Sequence, residues 1–96
     1  MKNNLPPLHY AIIECFNHGE ELSANDVIAA LKEDYSGYKL LNNKDVDEAL
    51  ATSRENGLLE ETKVDADGEG QLRTFYKMTA FGTDMVRRYL TGLAVE

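Results

Sequence analysis

Hydrophobic residues recur at helical spacing over the first half of this chain, switch to alternation near residue 59, and return to helical spacing near the end. Leu8, Ala11, Ile12, Cys15 and Phe16 fall at i, i+3, i+4, i+7 and i+8, one apolar stripe of a helix. Pro6 and Pro7 suit its first turn, where an amide hydrogen would be unpaired in any case, and Gly19 supplies a left-handed end. The pattern predicts helix over about 7–18. Glu21-Leu22-Ser23 reads as a short extended link. Ser23 can then cap a second helix, with Asp26 in the capping-box position. Its stripe is Val27, Ala30, Leu31 and Tyr35, with Ile28 beside it, and Ser36-Gly37 closes it.

Asn42-Asn43 offers the next N-cap. A third helix is expected from about Lys44 to Asn56, with Val46, Ala49, Leu50 and Ser53 inward. Asn56-Gly57-Leu58 has the composition of a Schellman ending, Leu58 folding back on the last turn. The runs Leu59–Val64 and Leu72–Met78 are rich in β-branched and aromatic residues, and the turn cluster Asp65-Ala66-Asp67-Gly68-Glu69-Gly70 joins them into a hairpin. Thr79 caps a last helix whose stripe is Phe81, Met85, Val86, Tyr89, Leu90 and Leu93. The fold class is α+β, in the order helix, short strand, helix, helix, strand, strand, helix. The expected core is Leu8, Ile12, Phe16, Val27, Leu31, Val46, Leu50, Leu59, Tyr76, Met78, Phe81 and Met85.

Composition narrows the class. A chain of 96 residues with 43% hydrophobic content suits a single domain over 1–96, with 1–6 as an N-terminal arm and 91–96 as a C-terminal tail. One cysteine excludes an internal disulfide framework and fits a reducing compartment. No apolar run approaches the roughly 20 residues of a membrane span. A cytoplasmic protein with no membrane association is expected. Charge complicates the picture: 17 acidic against 10 basic residues give −7, the wrong sign for a nucleic-acid binder.

The element order is that of the winged helix-turn-helix, and the chain resembles the domains of PadR- and MarR-type bacterial regulators. Glu55-Asn56-Gly57-Leu58-Leu59-Glu60-Glu61, Phe75-Tyr76-Lys77-Met78-Thr79 and Gly82 carry the resemblance. It implies a DNA-associated transcription regulator whose third helix, about 44–56, enters the major groove while the hairpin wing, 59–78, touches the backbone or minor groove. On that reading Lys39, Lys44, Arg54, Lys63, Arg73 and Lys77 are the candidate contacts to duplex DNA. Asp45, Asp47 and Glu48 crowd the end of the helix that would face bases, and Asp65, Asp67 and Glu69 sit at the wing tip. That acidity keeps an alternative open, an interaction module that binds another protein through the same surface. Similar regulators pair through C-terminal helices, which makes Tyr89, Leu90 and Leu93 the candidate homodimer interface. Otherwise the last helix merely covers the wing sheet.

Other chemistry finds little support. Asp65, Asp67, Glu69 and Gly70 imitate the first half of a calcium loop, but position 12 is Tyr76 instead of a bidentate Glu, and the flanks read as strands. His9 and His18 fall in no metal spacing. Cys15 sits on a buried stripe without a basic neighbour in sequence. No phosphate loop, dinucleotide fingerprint or nucleophile elbow occurs. Neither an enzyme, nor a metal, nor a cofactor is expected.

Overall fold

The computed structural model describes residues 7–95, with side chains as far as Arg88. Among the described residues the order is α1 (Leu8–Glu14), α2 (Ala24–Leu31), α3 (Asn43–Glu55), β1 (Leu59–Ala66), β2 (Leu72–Met78) and α4 (Ala80–Val95). This is the winged-helix order expected from the periodicity. The residues 1–6 assigned to an arm lie outside the described residues, and α4 continues through 91–95, the stretch assigned to a tail.

Each boundary has a local cause. Ser23 begins α2 through a capping box: the Asp26 carboxylate accepts from the Ser23 amide at 2.9 Å and from its hydroxyl at 3.1 Å. Asn42 begins α3, its Oδ1 accepting from the Asp45 amide at 2.9 Å. The Asn42 Nδ2 donates to the Lys39 carbonyl and to the Asp45 carboxylate, both at 2.7 Å. The Schellman ending of α3 is complete. Leu58 donates to the Ser53 carbonyl at 2.9 Å and Gly57 to that of Arg54 at 3.0 Å, with Gly57 at φ +84°.

β1 and β2 pair antiparallel, with an irregularity between Glu61 and Lys63 that leaves Thr62 without an opposite residue. Leu22 joins the hairpin through a single antiparallel bridge, exchanging amide–carbonyl bonds with Tyr76 at 2.9 and 2.8 Å. The expected short strand at Glu21–Ser23 is therefore one bridge.

The core is Ile12, Ile13, Phe16, Val27, Val46, Leu50, Leu59, Tyr76, Met78 and Val86, with Ala24 beside them. Four expectations need correction. Helix α1 stops at Glu14, not near 18, because the chain tightens into i→i−3 bonds from Phe16 to Ile13 and Asn17 to Glu14. Helix α2 stops at Leu31 and leaves Ala30 exposed, while Tyr35, in the turn after it, is buried. Leu8, Leu31 and Met85 are only partly buried. Phe81 is 54% exposed, so it is not a core residue.

The last error has a steric origin. Gly82 faces the start of the hairpin so closely that a Cβ there would collide with the Leu58 carbonyl. That contact sets the Gly82 side of α4 inward. Val86, already in the expected stripe, is buried together with Gly82, while Met85 is half-buried and Phe81, at the edge of the stripe, is exposed. Thr79 locks the turn: its hydroxyl donates to the Gly57 carbonyl at 2.6 Å and accepts from the Gly82 amide at 2.8 Å.

Candidate nucleic-acid interface

Helix α3 separates two depressions of opposite character. Its buried row, Val46, Leu50 and Ser53, anchors it on the core, and the flanking residues go to one side or the other. On one flank Asn43, Lys44, Asp47 and Ala51 line a cleft of about 740 Å³. The opposite wall comes from the wing, through Asp67, Glu69, Gln71, Leu72, Arg73, Thr74 and Tyr76, and the start of α2 closes one end with Ser23, Ala24 and Asn25. On the other flank Asp45, Glu48, Ala49 and Thr52 border an apolar groove of about 500 Å³ whose walls include Leu8, Ile12, Ile13, Leu40, Met85 and Val86.

This division corrects the expected crowding of three carboxylates at the reading end of α3. Asp45 and Glu48 belong to the apolar groove, and Asp45 accepts from the Asn42 side chain. Asp47 alone of the three lines the cleft.

The six candidate basic residues do not converge on one point. Lys44 and Arg73 line the cleft from opposite walls. Arg54 lies near its root, close enough to Tyr76 to oppose the upward shift of that phenol's pKa, which burial dominates and Glu61 and Asp47 reinforce. Lys63 pairs with Phe75 in register, and alternation places Arg73 and Lys77 on that same outward face of the hairpin. The Lys63 ammonium lies 4.8 Å and the Arg73 guanidinium 5.4 Å from the Phe75 ring centre, so both cations lie against the same aromatic ring. Lys39 is exposed in the connector before α3. The bulge at Thr62 makes this grouping possible: without the extra residue, alternation would send Lys63 to the face opposite Phe75.

Arg73 is already committed. Its Nε and Nη2 donate to the two oxygens of Asp65 at 3.0 and 3.2 Å, and that hydrogen bond raises its pKa, with burial acting the other way. Lys63 has a looser neighbour in Glu21, at 3.9 Å. The wing tip is an ordered turn built on Asp67. The Asp67 Oδ1 accepts from the amides of Glu69 and Gln71 at 2.8 and 3.0 Å, while the backbone carbonyl of Gln71 accepts from the Asp67 amide at 2.8 Å. Asp65 and Asp67 thus serve the hairpin itself. Among the described residues no group of three or more metal-ligating side chains comes together.

Sequence reasoning overlooked Asn25, Asn43, Gln71 and Thr74, polar residues that line the cleft. Helical spacing from Asp47 leads to Asn43 and Ala51, but that signal has no direction until the wing is placed. The side chains of Tyr89, Leu90 and Leu93, the candidate dimer interface, lie outside the described residues. Among the described residues no helix is long and apolar enough to cross a membrane.

No protein-family model matches the chain, and no curated protein sequence matches it. Solved structures do. The PadR of Bacillus subtilis in complex with operator DNA superposes with a TM-score of 0.69 at 22% identity, covering 86% of this chain and 46% of that one. The chain thus spans less than half the length of that regulator. A PadR-like transcriptional regulator from Bacillus cereus gives 0.69 at 18% identity, covering 92% of this chain and 82% of its own. A PadR-like transcription factor from Bacteroides fragilis gives 0.71 at 24% identity, covering 88% and 78%. With four helices, an antiparallel hairpin and a single bridge at Leu22 among the described residues, the chain has the winged helix-turn-helix fold of these PadR-like regulators.

Proposed function

We propose that this protein is a DNA-binding transcription regulator that seats duplex DNA between α3 and the hairpin. The observation that carries this reading is the polar cleft itself. One face of α3, Asn43, Lys44, Asp47 and Ala51, is open toward it, and the wing stands opposite. A helix with its side chains is about 10–12 Å across and the major groove is about 12 Å wide, so α3 fits that groove. The operator complex of the similar Bacillus subtilis protein supports the same use of the fold. Lys44 and Arg54 take phosphate or guanine, and Lys63, Arg73 and Lys77 on the wing take backbone.

The test is fluorescence anisotropy with a labelled mixed-sequence duplex at low salt. Micromolar binding that weakens with Lys44→Ala and not with Arg87→Ala is expected. No binding by the wild-type protein at that concentration overturns the reading.

One observation favours a second reading, a module that binds a basic protein. The cleft sets Lys44 and Arg73 against Asp47, Asp67 and Glu69, and Arg73 is already neutralised by Asp65. Under that reading Asp47→Asn weakens a basic partner and DNA binding stays undetectable.

The regulator reading includes a homodimer through the last turns of α4, with Tyr89, Leu90 and Leu93 in the interface. The open apolar groove between α1, α3 and α4 supports it, because an exposed apolar patch of this kind marks an interface. Light scattering after gel filtration should give twice the mass of the 10.8 kDa chain, and Leu90→Glu with Leu93→Glu should halve it.

A further inference from the structure

Asp47 is out of place on a surface meant for phosphate. Its carboxylate lines the cleft midway along the open face of α3, a turn from Asn43 and Lys44 on one side and from Ala51 on the other. The other aspartate of the cleft is occupied, Asp67 by two amides of the turn. Asp47 is different. Its pKa is raised, and burial against the cleft walls is the cause. A carboxylate partly stripped of water, and in no ion pair among the described residues although Lys44 stands a turn away, is unfavourable in the free protein. Something that enters the cleft with an N–H donor would relieve it.

The chemistry of base edges makes that donor specific. In the major groove, guanine offers only acceptors and thymine an acceptor and a methyl, which a carboxylate cannot use. Cytosine offers its exocyclic amine alone. Adenine also has an exocyclic amine, but beside it stands the N7 acceptor, which repels a carboxylate and suits an amide. We infer that Asp47 is a specificity-determining residue of the α3 surface, accepting from the exocyclic amine of a cytosine and disfavouring the other bases at that step. Negative charge on the reading helix then has a role: it lowers affinity for DNA in general and is repaid only where a cytosine meets it. This inference rests on the proposed DNA-binding reading.

Selection from a randomised duplex pool tests it, using the full chain as wild type, Asp47→Asn and Asp47→Ala. The wild type should enrich one position for cytosine, and Asp47→Ala should lose that preference while keeping the flanking ones. Asp47→Asn should move the same position toward adenine, whose N6 and N7 match an amide. Discrimination of about 5- to 150-fold at that position is the size a good base contact confers. If Asp47→Asn strengthens binding to all sequences equally and leaves the selected site unchanged, the carboxylate is only a repulsive charge and the inference is overturned. If the wild type recovers no duplex at all, the DNA-binding reading fails and this one with it. Unfolding midpoints of the two variants should not fall below that of the wild type, since Asp47 lies outside the core.

Discussion

Gly82 shows how a single missing side chain orients a helix. A Cβ at this position would run into the Leu58 carbonyl, and it would stand 3.0 Å from the Met78 Cγ. Backbone cannot move aside as a flexible side chain can, so Gly82→Ala should cost about 1–3 kcal/mol, the range for overpacked sites. A lowered urea midpoint with an unchanged slope would show it. The same residue explains why Phe81 was misplaced from sequence. Phe81 lies at the edge of the expected stripe, which runs on through Met85 and Val86, and hydrophobicity alone cannot tell an edge residue from a central one. The close approach at Gly82, which a glycine in that position suggests, favours the Val86 side and leaves Phe81 outside, a choice that periodicity alone does not make. Cys15 was legible, by contrast. It is half-buried, and burial first, then Glu14 and Glu20, push its thiol pKa from 9.0 up to about 11. At pH 8 this leaves about 100-fold fewer thiolates than at an ordinary cysteine. Alkylation by iodoacetamide in the native state should therefore be slower by roughly that factor than after unfolding, and equal rates would contradict this burial. The sign of the shift also means that this group favours folding below pH 9 and loses that contribution as pH rises from 9 toward 11.

The elements take their ends from side chains that announce themselves in sequence. Ser23 with Asp26, Asn42 with Asp45, and Asn56-Gly57-Leu58 each form the cap that their composition suggests. Capping chemistry is local, and local rules survive translation into structure. Asn42 makes the strongest case, with Oδ1 on the Asp45 amide and Nδ2 shared between Lys39 and Asp45. Asn42→Ala should cost about 1 kcal/mol, within a range of about 0.5–2 for N-caps. The loss should appear as faster amide exchange in the first turn of α3 before any global change. The bulge in β1 was not legible, because the run Glu60-Glu61-Thr62-Lys63-Val64 has no side-chain alternation to break. Yet that bulge decides which face of the wing carries Lys63. The site suffered from the same limit. A helical wheel places Val46, Leu50 and Ser53 inward and shows two flanks, Asp47 with Ala51 and Asp45 with Glu48, but it cannot say which flank looks toward the wing. Tertiary packing makes that choice.

At the scale of the whole molecule, the net charge of −7 has to be reconciled with a fold used for DNA. The acidic residues are not spread evenly over the surfaces of α3, since Glu48 and Asp45 are turned toward the apolar groove and away from the cleft. Few cations remain for phosphate: Lys39 in the connector, Lys44 in the cleft, Arg54 at its root, and on the wing Lys63, Lys77 and an Arg73 already held by Asp65. With about two to four phosphates neutralised, the slope of log affinity against log salt should be only roughly −2 to −4 per protomer. Binding titrations between low and physiological salt measure it directly, and a much steeper slope would mean phosphate contacts from further basic residues. The single substitutions should divide by flank. Arg54→Ala should weaken binding and reduce the slope by about 1, whereas Arg87→Ala on α4 should change neither. Asp47→Asn should alter binding because its carboxylate faces the cleft, while Glu48→Gln, which removes the same charge one residue along, should leave binding close to wild type. Equal effects from these two would mean that DNA senses only the total charge of the helix. The division of α3 into a reading flank and a groove flank would then have no part in how the protein meets DNA.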